Sequence, residues 1–157
     1  CRVTYRISLC GAITVKPMPA RILIVEDEAL VAMELRFVLE DLGHEVVGTA
    51  ADLASAMKIA KETEVDLALV DIHLSDGPTG VTIGRELAVD HKVAVLFMTA
   101  NPGMVRNGVA GAIGVLSKPT DERIVQDAVA YALDRRSGQV RNMAPPQLQL
   151  FEDGPRA

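Results

Sequence analysis

Short apolar runs alternate with amphipathic stretches from Arg21 onward, and this alternation restricts the fold more than any other feature of the chain. The apolar runs predict strands at residues 21–26, 45–49, 67–71, 93–99 and 112–117. The amphipathic stretches predict helices at residues 29–42, 53–62, 81–89 and 122–135, with a weak helix at 104–110. Strands that alternate with helices form right-handed βαβ units, so we expect an α/β protein with a doubly wound parallel sheet and helices on both faces.

The composition fits one such domain and restricts its partners. Of the 157 residues, 49% are hydrophobic and 3% are aromatic, so the core must be built from Val, Ile, Leu, Ala and Met, as in a covered parallel sheet. The net charge of -5 argues against nucleic acid or an anionic membrane as the main partner. Cys1 and Cys10 lie at one end, so this is not a disulfide scaffold, and the three histidines show no metal-ligand spacing.

The alternating pattern is confined to the middle of the chain, and we predict a domain at residues 18–136. The sequence from Met18 reads like a natural start, so residues 1–17 are interpreted as an N-terminal extension outside the fold. After Arg136 the chain is polar and rich in proline, which predicts a flexible C-terminal tail at residues 137–157 with no output domain of its own. The alternation in "QLQLF", residues 147–151, leaves open that the tail adds a strand to a partner's sheet.

Acids, a hydroxyl and a lysine stand where the predicted strands end. Glu26 and Asp27 end the first strand, Asp71 the third, Thr99 the fourth, and Lys118 follows the fifth. Each has an ordinary reading, such as a helix cap for Asp27, a loop cap for Asp71 or a solvated side chain for Lys118. Ligands of doubly wound sheets bind beyond the carboxyl ends of the strands, however, and four such coincidences at one edge indicate a functional site.

The residue types at this edge point to phosphoryl transfer. Carboxylates in surplus over one lysine provide the hard oxygen ligands that Mg²⁺ prefers. A carboxylate beside the metal can attack a phosphoryl group and form an acyl phosphate. The metal and the lysine would neutralise charge on the phosphoryl oxygens, and a hydroxyl would hold one of them.

Four stretches in order resemble the receiver domain of two-component response regulators, the CheY-like family, over about residues 20–136. They are "RILIVEDEALVAMELRFVLEDLGHEVVGTA", "VDLALVDIHL", "VLFMTAN" and "GAIGVLSKP". The resemblance implies a flavodoxin-like (βα)5 fold with a five-stranded parallel sheet in the order 2-1-3-4-5. It also implies roles for individual residues: Asp71 as phosphoacceptor, Glu26, Asp27, Asp71 and the backbone carbonyl of His73 as ligands of Mg²⁺ or Mn²⁺, Thr99, Ala100 and Lys118 around the phosphoryl group, and the structural Pro119, often cis in this family.

By the same resemblance, the chain would be a cytoplasmic phosphoprotein that signals through protein contacts and does not turn over a substrate. A sensor histidine kinase or a histidine phosphotransfer protein would phosphorylate it, and a downstream protein effector would read it. One alternative is a pseudo-receiver that binds partners without phosphorylation. Another is a small phosphatase of the haloacid-dehalogenase type, which is disfavoured because His73 stands where that family has a second acid.

Three departures from the family pattern affect the expected switch. Val115 stands where the family usually has an aromatic residue, and the loop after Asp71 reaches Gly80 one residue late, with Ser75 in place of the common proline. The span from Thr99 to the lysine is short and glycine-rich, so the fourth helix should be short and weakly formed. We therefore hypothesise that phosphorylation orders residues 101–114 instead of turning a ring inward.

Overall fold

A computed structural model describes residues 5–7, 13–15, 19–138 and 143–151 of the chain. Its strands are β1 (Tyr5–Ile7), β2 (Ile13–Val15), β3 (Arg21–Val25), β4 (Glu45–Ala50), β5 (Leu67–Asp71), β6 (Ala94–Thr99), β7 (Gly114–Ser117) and β8 (Leu148–Leu150). Its α-helices are α1 (Ala29–Asp41), α2 (Leu53–Glu62), α3 (Gly80–Asp90) and α4 (Glu122–Ser137). Among the described residues, no helix is both long and apolar enough to cross a membrane.

The main sheet has six strands in the order β4-β3-β5-β6-β7-β8. Strands β3 to β7 pair in parallel, and β8 pairs antiparallel with β7. The five parallel strands confirm the predicted order 2-1-3-4-5 and the predicted doubly wound α/β fold. The short strands β1 and β2 pair with each other in a separate antiparallel sheet.

Both faces of the central strands β3, β5 and β6 are buried, and for this reason these strands read as continuous apolar runs. Alternate residues of β6 point to opposite faces, so Leu96 and Met98 join one core cluster and Val95 and Phe97 the other. Helices α1 and α4 cover the first face, and α2 and α3 cover the second. The carboxyl ends of the strands therefore open between two helical layers.

The helix starts show which acids are structural. The carboxylate of Asp52 accepts the Ser55 N–H at 2.8 Å, and that of Asp121 accepts the Ile124 N–H at 2.8 Å, so these two acids are the N-caps of α2 and α4. The N-cap of α1 is Glu28, whose side chain makes no capping hydrogen bond. Asp27 does not occupy the cap position, so the ordinary capping interpretation of that residue is wrong.

The weak helix predicted at residues 104–110 is absent. In this fully described span the chain forms only a short 3-10 helix, Pro102–Val105, followed by turns. Gly108 and Gly111 have φ of 81° and 78°, in the left-handed region where a right-handed helix cannot continue. The glycines that made the prediction weak thus prevent an α-helix here.

Strand β8 lies in the segment that was predicted to be a flexible tail. It forms because Gly114 of β7 has no side chain: a Cβ there would overlap the carbonyl oxygen of Gln149. The alternating "QLQLF" therefore adds a strand to the chain's own sheet, which was not predicted. Elsewhere the domain boundaries stay a prediction, and most of residues 1–17, with Cys1 and Cys10, and residues 139–142 and 152–157 lie outside the described residues.

Candidate functional site

Three acids meet at the carboxyl ends of β3 and β5. Glu26 directly follows β3, Asp27 comes next, and Asp71 is the last residue of β5. Carboxylate oxygens of all three lie within 4.8 Å of one another. Glu26 and Asp71 are buried, whereas Asp27 is exposed, so the cluster is open to solvent only on one side.

Lys118 bridges the two buried acids. Its Nζ donates to Glu26 Oε2 at 2.8 Å and to Asp71 Oδ2 at 2.9 Å. It reaches them from the loop after β7, across β5 and β6, as the order of the strands predicts. The lysine side chain is 20% exposed and that of Glu26 is 1% exposed, so these charge-assisted hydrogen bonds are shielded from water on the protein side.

Burial and the neighbouring charges change the pKa values of Glu26 and Lys118. Burial is the main cause that raises the pKa of the Glu26 carboxyl, and the hydrogen bond from Lys118 opposes it. For Lys118 burial is the largest single influence and favours the neutral amine, but the hydrogen bonds and charges of Glu26 and Asp71 together outweigh it and raise the pKa. The lysine therefore remains cationic where it meets the acids.

Two backbone amides at the site were not predicted from the sequence. The His73 N–H donates to Asp71 Oδ1 at 3.2 Å, and the Glu28 N–H donates to Glu26 Oε1 at 3.2 Å. In each of the two buried acids, one carboxylate oxygen thus accepts a hydrogen bond from Lys118, and the other accepts one from the backbone amide two residues later in the chain. Residue types alone do not show which way a loop amide points, so no sequence signal indicated these contacts.

Thr99 closes the site from β6. The residue is fully buried, and its Oγ1 accepts the Asn101 N–H at 3.1 Å. Its carbonyl accepts the Lys118 N–H at 2.8 Å, which joins β6 to the loop that carries the lysine. Ala100 is exposed beside it, and the Lys118–Pro119 peptide bond is cis, as the resemblance implies.

Gly80, the first residue of α3, packs against the backbone of Asp71. A Cβ on this residue would overlap the backbone carbonyl oxygen of Asp71, and it would also crowd the backbone of Ile72. The start of α3 therefore packs directly on the end of β5. The sequence indicated that Gly80 ends an unusual loop, but not that its missing side chain sets the position of Asp71.

The donor set fits a divalent cation with hard ligands. Three carboxylates with oxygens this close repel one another unless positive charge lies between them, and Lys118 supplies only one such charge. Oxygen donors of this number and charge suit Mg²⁺, which keeps several waters and takes one or two carboxylates. Asp27 is the exposed member of this donor set.

A doubly wound (βα) sheet with paired acids, a buried hydroxyl and a lysine at its carboxyl edge defines a class of signalling domain. Comparison with protein families matches residues 22–130 to the response regulator receiver domain, and the chain belongs to that family. Two-component signal transduction, with phosphorylation and Mg²⁺ binding, is typical of its members. The predicted family is thereby confirmed.

Similar proteins include regulators from several bacteria. The phyllosphere-induced regulator PhyR of Methylorubrum extorquens is 38% identical over 118 residues, which are 74% of this chain and 44% of PhyR. The crystal structure of PhyR from Brucella abortus has a TM-score of 0.70 at 30% identity and covers 77% of this chain and 50% of that one. The solution structure of the Erythrobacter litoralis PhyR receiver domain has a TM-score of 0.68 at 30% identity, over 82% of this chain and 98% of that one. The chain spans about half the length of the curated relatives it matches.

Proposed function

We propose that this chain is a phosphorylatable receiver, in which Asp71 accepts a phosphoryl group from a histidine kinase or a histidine phosphotransfer protein. The observation that carries the proposal is the ion-pair network of Lys118 with Glu26 and Asp71 beside the exposed Asp27. The exposed carboxylate of Asp27 lies within 4.8 Å of the two buried ones, which adds negative charge at the open side of the network. Such a cluster is what a site built to admit a cation and a phosphoryl group needs.

In the proposed reaction a carboxylate oxygen of Asp71 forms a new P–O bond while the P–N bond to the donor imidazole breaks. The imidazole leaves with the bonding electron pair and takes up a proton, so no further reactant is needed. Asp71 Oδ2 now bonds Lys118 and Oδ1 bonds the His73 amide, so the carboxylate is held from both sides before a donor arrives. This fixed orientation lowers the entropic cost of the reaction.

Glu26, Asp27, Asp71 and the backbone carbonyl of His73 are the residues proposed to hold Mg²⁺, or Mn²⁺ in its place. When bound, the ion would supply positive charge to the phosphoryl oxygens. Lys118 is proposed to pair with one of those oxygens, since its ammonium already bonds the accepting carboxylate. Thr99 is proposed to donate its hydroxyl hydrogen to another, and the small Ala100 leaves room beside the site.

An apolar surface next to the site supports a protein as phosphoryl donor. Leu30, Met33 and Phe37 on α1 are 74%, 50% and 64% exposed and recur at helical spacing. A groove of about 620 Å³ runs between α1 and the loop that carries Lys118 and Pro119. A partner helix that covers this groove would reach the open side of the acidic cluster. Output is proposed to pass to a separate protein effector, and a cytoplasmic location is part of the proposal.

The test is the intact mass of the chain after exposure to acetyl phosphate with Mg²⁺. We expect the wild type to gain one phosphoryl group only when Mg²⁺ is present, and Asp71→Asn to gain none. Asp90→Asn is the matched control, because Asp90 is exposed at the end of α3, away from the site. It should be phosphorylated like the wild type.

The possible results separate the proposal from its alternative. A wild type that binds Mg²⁺ but forms no adduct, and that also fails to bind beryllofluoride, would be a pseudo-receiver that acts through binding alone. An adduct that persists in Asp71→Asn would place the phosphoacceptor elsewhere. Failure to bind Mg²⁺ would overturn the assignment of the acidic cluster.

A further inference from the structure

Residues 145–151, which we call the C-terminal strap, cover the edge strand β7. Strand β8 within the strap pairs with β7, and the Phe151 N–H then donates to the Ile113 carbonyl at 3.0 Å. A turn precedes β8, in which the Leu148 N–H donates to the Pro145 carbonyl at 3.0 Å. The strap is therefore paired with the edge through its backbone from Ile113 to Leu116.

The strap also inserts side chains on both faces of the sheet. Leu148 is 5% exposed and joins the core cluster beneath α1 and α4. Phe151 packs on the opposite face against Phe97, with ring centroids 6.1 Å apart and planes inclined by 46°. Phe97 is itself fixed, because Gly84 of α3 leaves only enough space for its ring. One side of the packing site of Phe151 is thus rigid.

The other side of that packing site is the segment between β6 and β7, residues 100–113. The buried Val105 and the half-buried Val109 belong to the same core cluster as Phe151. Gly108 lies against the strap as well, since a Cβ on it would stand 3.4 Å from the Cβ of Phe151. Gly108 has φ of 81°, outside the range of a right-handed helix, so Phe151 rests here on a non-helical part of the segment.

The same segment begins at the candidate phosphorylation site. Thr99 ends β6, and its Oγ1 accepts the Asn101 N–H, the residue before the 3-10 helix Pro102–Val105. Thr99 also shares a sheet face with Phe97, two residues earlier on β6. One strand and one loop therefore connect the hydroxyl at the site with the aromatic ring in the strap.

We propose that the C-terminal strap is a releasable element, docked in the unphosphorylated chain and displaced when Asp71 is phosphorylated; this inference rests on the function proposed above. If the Thr99 hydroxyl turns to donate to a phosphoryl oxygen, it gives up the Asn101 amide and frees the start of the segment. Extension of the 3-10 helix through Gly108 then requires a negative φ at that glycine. This change moves the backbone of the segment and breaks its contact with Phe151. The ordered segment and the docked strap exclude each other, so they form a two-state switch.

Amide hydrogen exchange with intact mass tests this on the full chain. Beryllofluoride with Mg²⁺ serves as a phosphoryl mimic, and acetyl phosphate gives the adduct itself. We expect exchange at residues 148–151 to accelerate by about 5- to 150-fold, the usual range of coupling between two sites. Exchange at residues 101–114 should slow at the same time, and Asp71→Asn should show neither change. Unchanged or slower exchange at 148–151 in a fully phosphorylated chain would overturn the inference and leave the proposed function intact.

A second measurement uses the reciprocity of coupling. If phosphorylation releases the strap, weakening the strap must favour the phosphorylated state, so Phe151→Ala should bind beryllofluoride about 5- to 150-fold more tightly than the wild type. Leu150→Ala is the matched control, because this neighbouring residue of β8 is 41% exposed. Equal affinity of all three chains would overturn the strap proposal. A wild type that neither forms an adduct nor binds beryllofluoride would refute the proposed function, and the strap proposal with it.

Discussion

The carboxyl end of the sheet and its β7–β8 edge are stabilised by different kinds of interaction. At the carboxyl end, Lys118 bonds Glu26 and Asp71 at 2.8 and 2.9 Å, so buried charges hold one another. At the edge, Leu148 and Phe151 pack into apolar clusters while backbone hydrogen bonds align the strand. The first region depends on charge balance and the second on buried area.

This difference predicts how each region responds to change. Removal of one member of a buried ion pair leaves an uncompensated charge, which costs more than the pair contributed. Loss of apolar contact costs only in proportion to the area exposed and to any cavity left behind. The site should therefore respond to substitution as a unit, and Mg²⁺ should modify its response. The edge should respond residue by residue, independently of Mg²⁺.

Substitution of the bridging lysine should have the largest effect. Lys118→Met leaves Glu26 and Asp71 without their shared cation, and we expect the free energy of unfolding to fall by about 3 kcal/mol in the absence of divalent ions, the low end for broken buried pairs. The low end is expected because the lysine side chain is 20% exposed. Urea unfolding with and without Mg²⁺ measures the change.

The same variant should bind Mg²⁺ more tightly than the wild type. The ammonium of Lys118 occupies the acids that an incoming ion would use, so its removal leaves the negative charge to the metal alone. Added Mg²⁺ should thus restore much of the lost stability. Lys61→Met, on the exposed face of α2, should change neither quantity. A weaker affinity of Lys118→Met for Mg²⁺, measured by calorimetry, would contradict the view that charge balance among the acids, Lys118 and the ion stabilises the carboxyl end of the sheet.

A substitution at the edge should have an intermediate effect that Mg²⁺ does not alter. Gly114→Ala places a Cβ against the carbonyl oxygen of Gln149 and forces β8 away from β7. We expect a loss of about 1–3 kcal/mol, as for other overpacked sites, with faster hydrogen exchange at residues 148–151.

Gly103→Ala is the matched control for that substitution. A Cβ at Gly103 would have as its nearest neighbour the side-chain oxygen of Asn101 at 3.4 Å, so this change should be nearly neutral. If Gly114→Ala were equally neutral, the close approach of β8 would not contribute to stability. If Mg²⁺ rescued Gly114→Ala, the edge would share the electrostatics of the site.

The two regions also differ in how far the sequence predicts them. The acids and the lysine follow apolar strands, and a parallel sheet necessarily brings strand ends to one edge, so the sequence predicts that Glu26, Asp71 and Lys118 lie together. All five parallel strands and the four α-helices begin and end within two residues of their predicted bounds. The spacing of apolar residues is a local property of the sequence, and the bounds of these strands and helices follow from it.

The edge depends on contacts that periodicity does not show. Strand β8 is three residues long and follows two prolines and a polar stretch, so its local pattern resembles a disordered tail. Its formation depends on Gly114 and on the space beside Phe97, both more than thirty residues away in the chain. For the same reason Gly80 and the amides of Glu28 and His73 were missed at the site: their roles follow from backbone approach, which residue type does not encode.

A titrating group outside both regions gives the smallest predicted effect. His44 lies at the opposite end of the sheet, where its Nδ1 accepts the Ala20 N–H at 3.1 Å, and burial lowers the pKa of its imidazole from 6.5. Between that lowered pKa and 6.5 the unfolded chain binds more protons than the folded chain, so the stabilisation is complete above pH 6.5 and is lost as the pH falls below it. His44→Asn keeps an acceptor oxygen for the Ala20 amide but does not titrate, so its free energy of unfolding should change less with pH in this window. Urea unfolding of both chains from pH 5 to 8 isolates the difference, because His73 and His91 remain in each. A slope equal to that of the wild type would mean that His44 does not contribute to the pH dependence of stability.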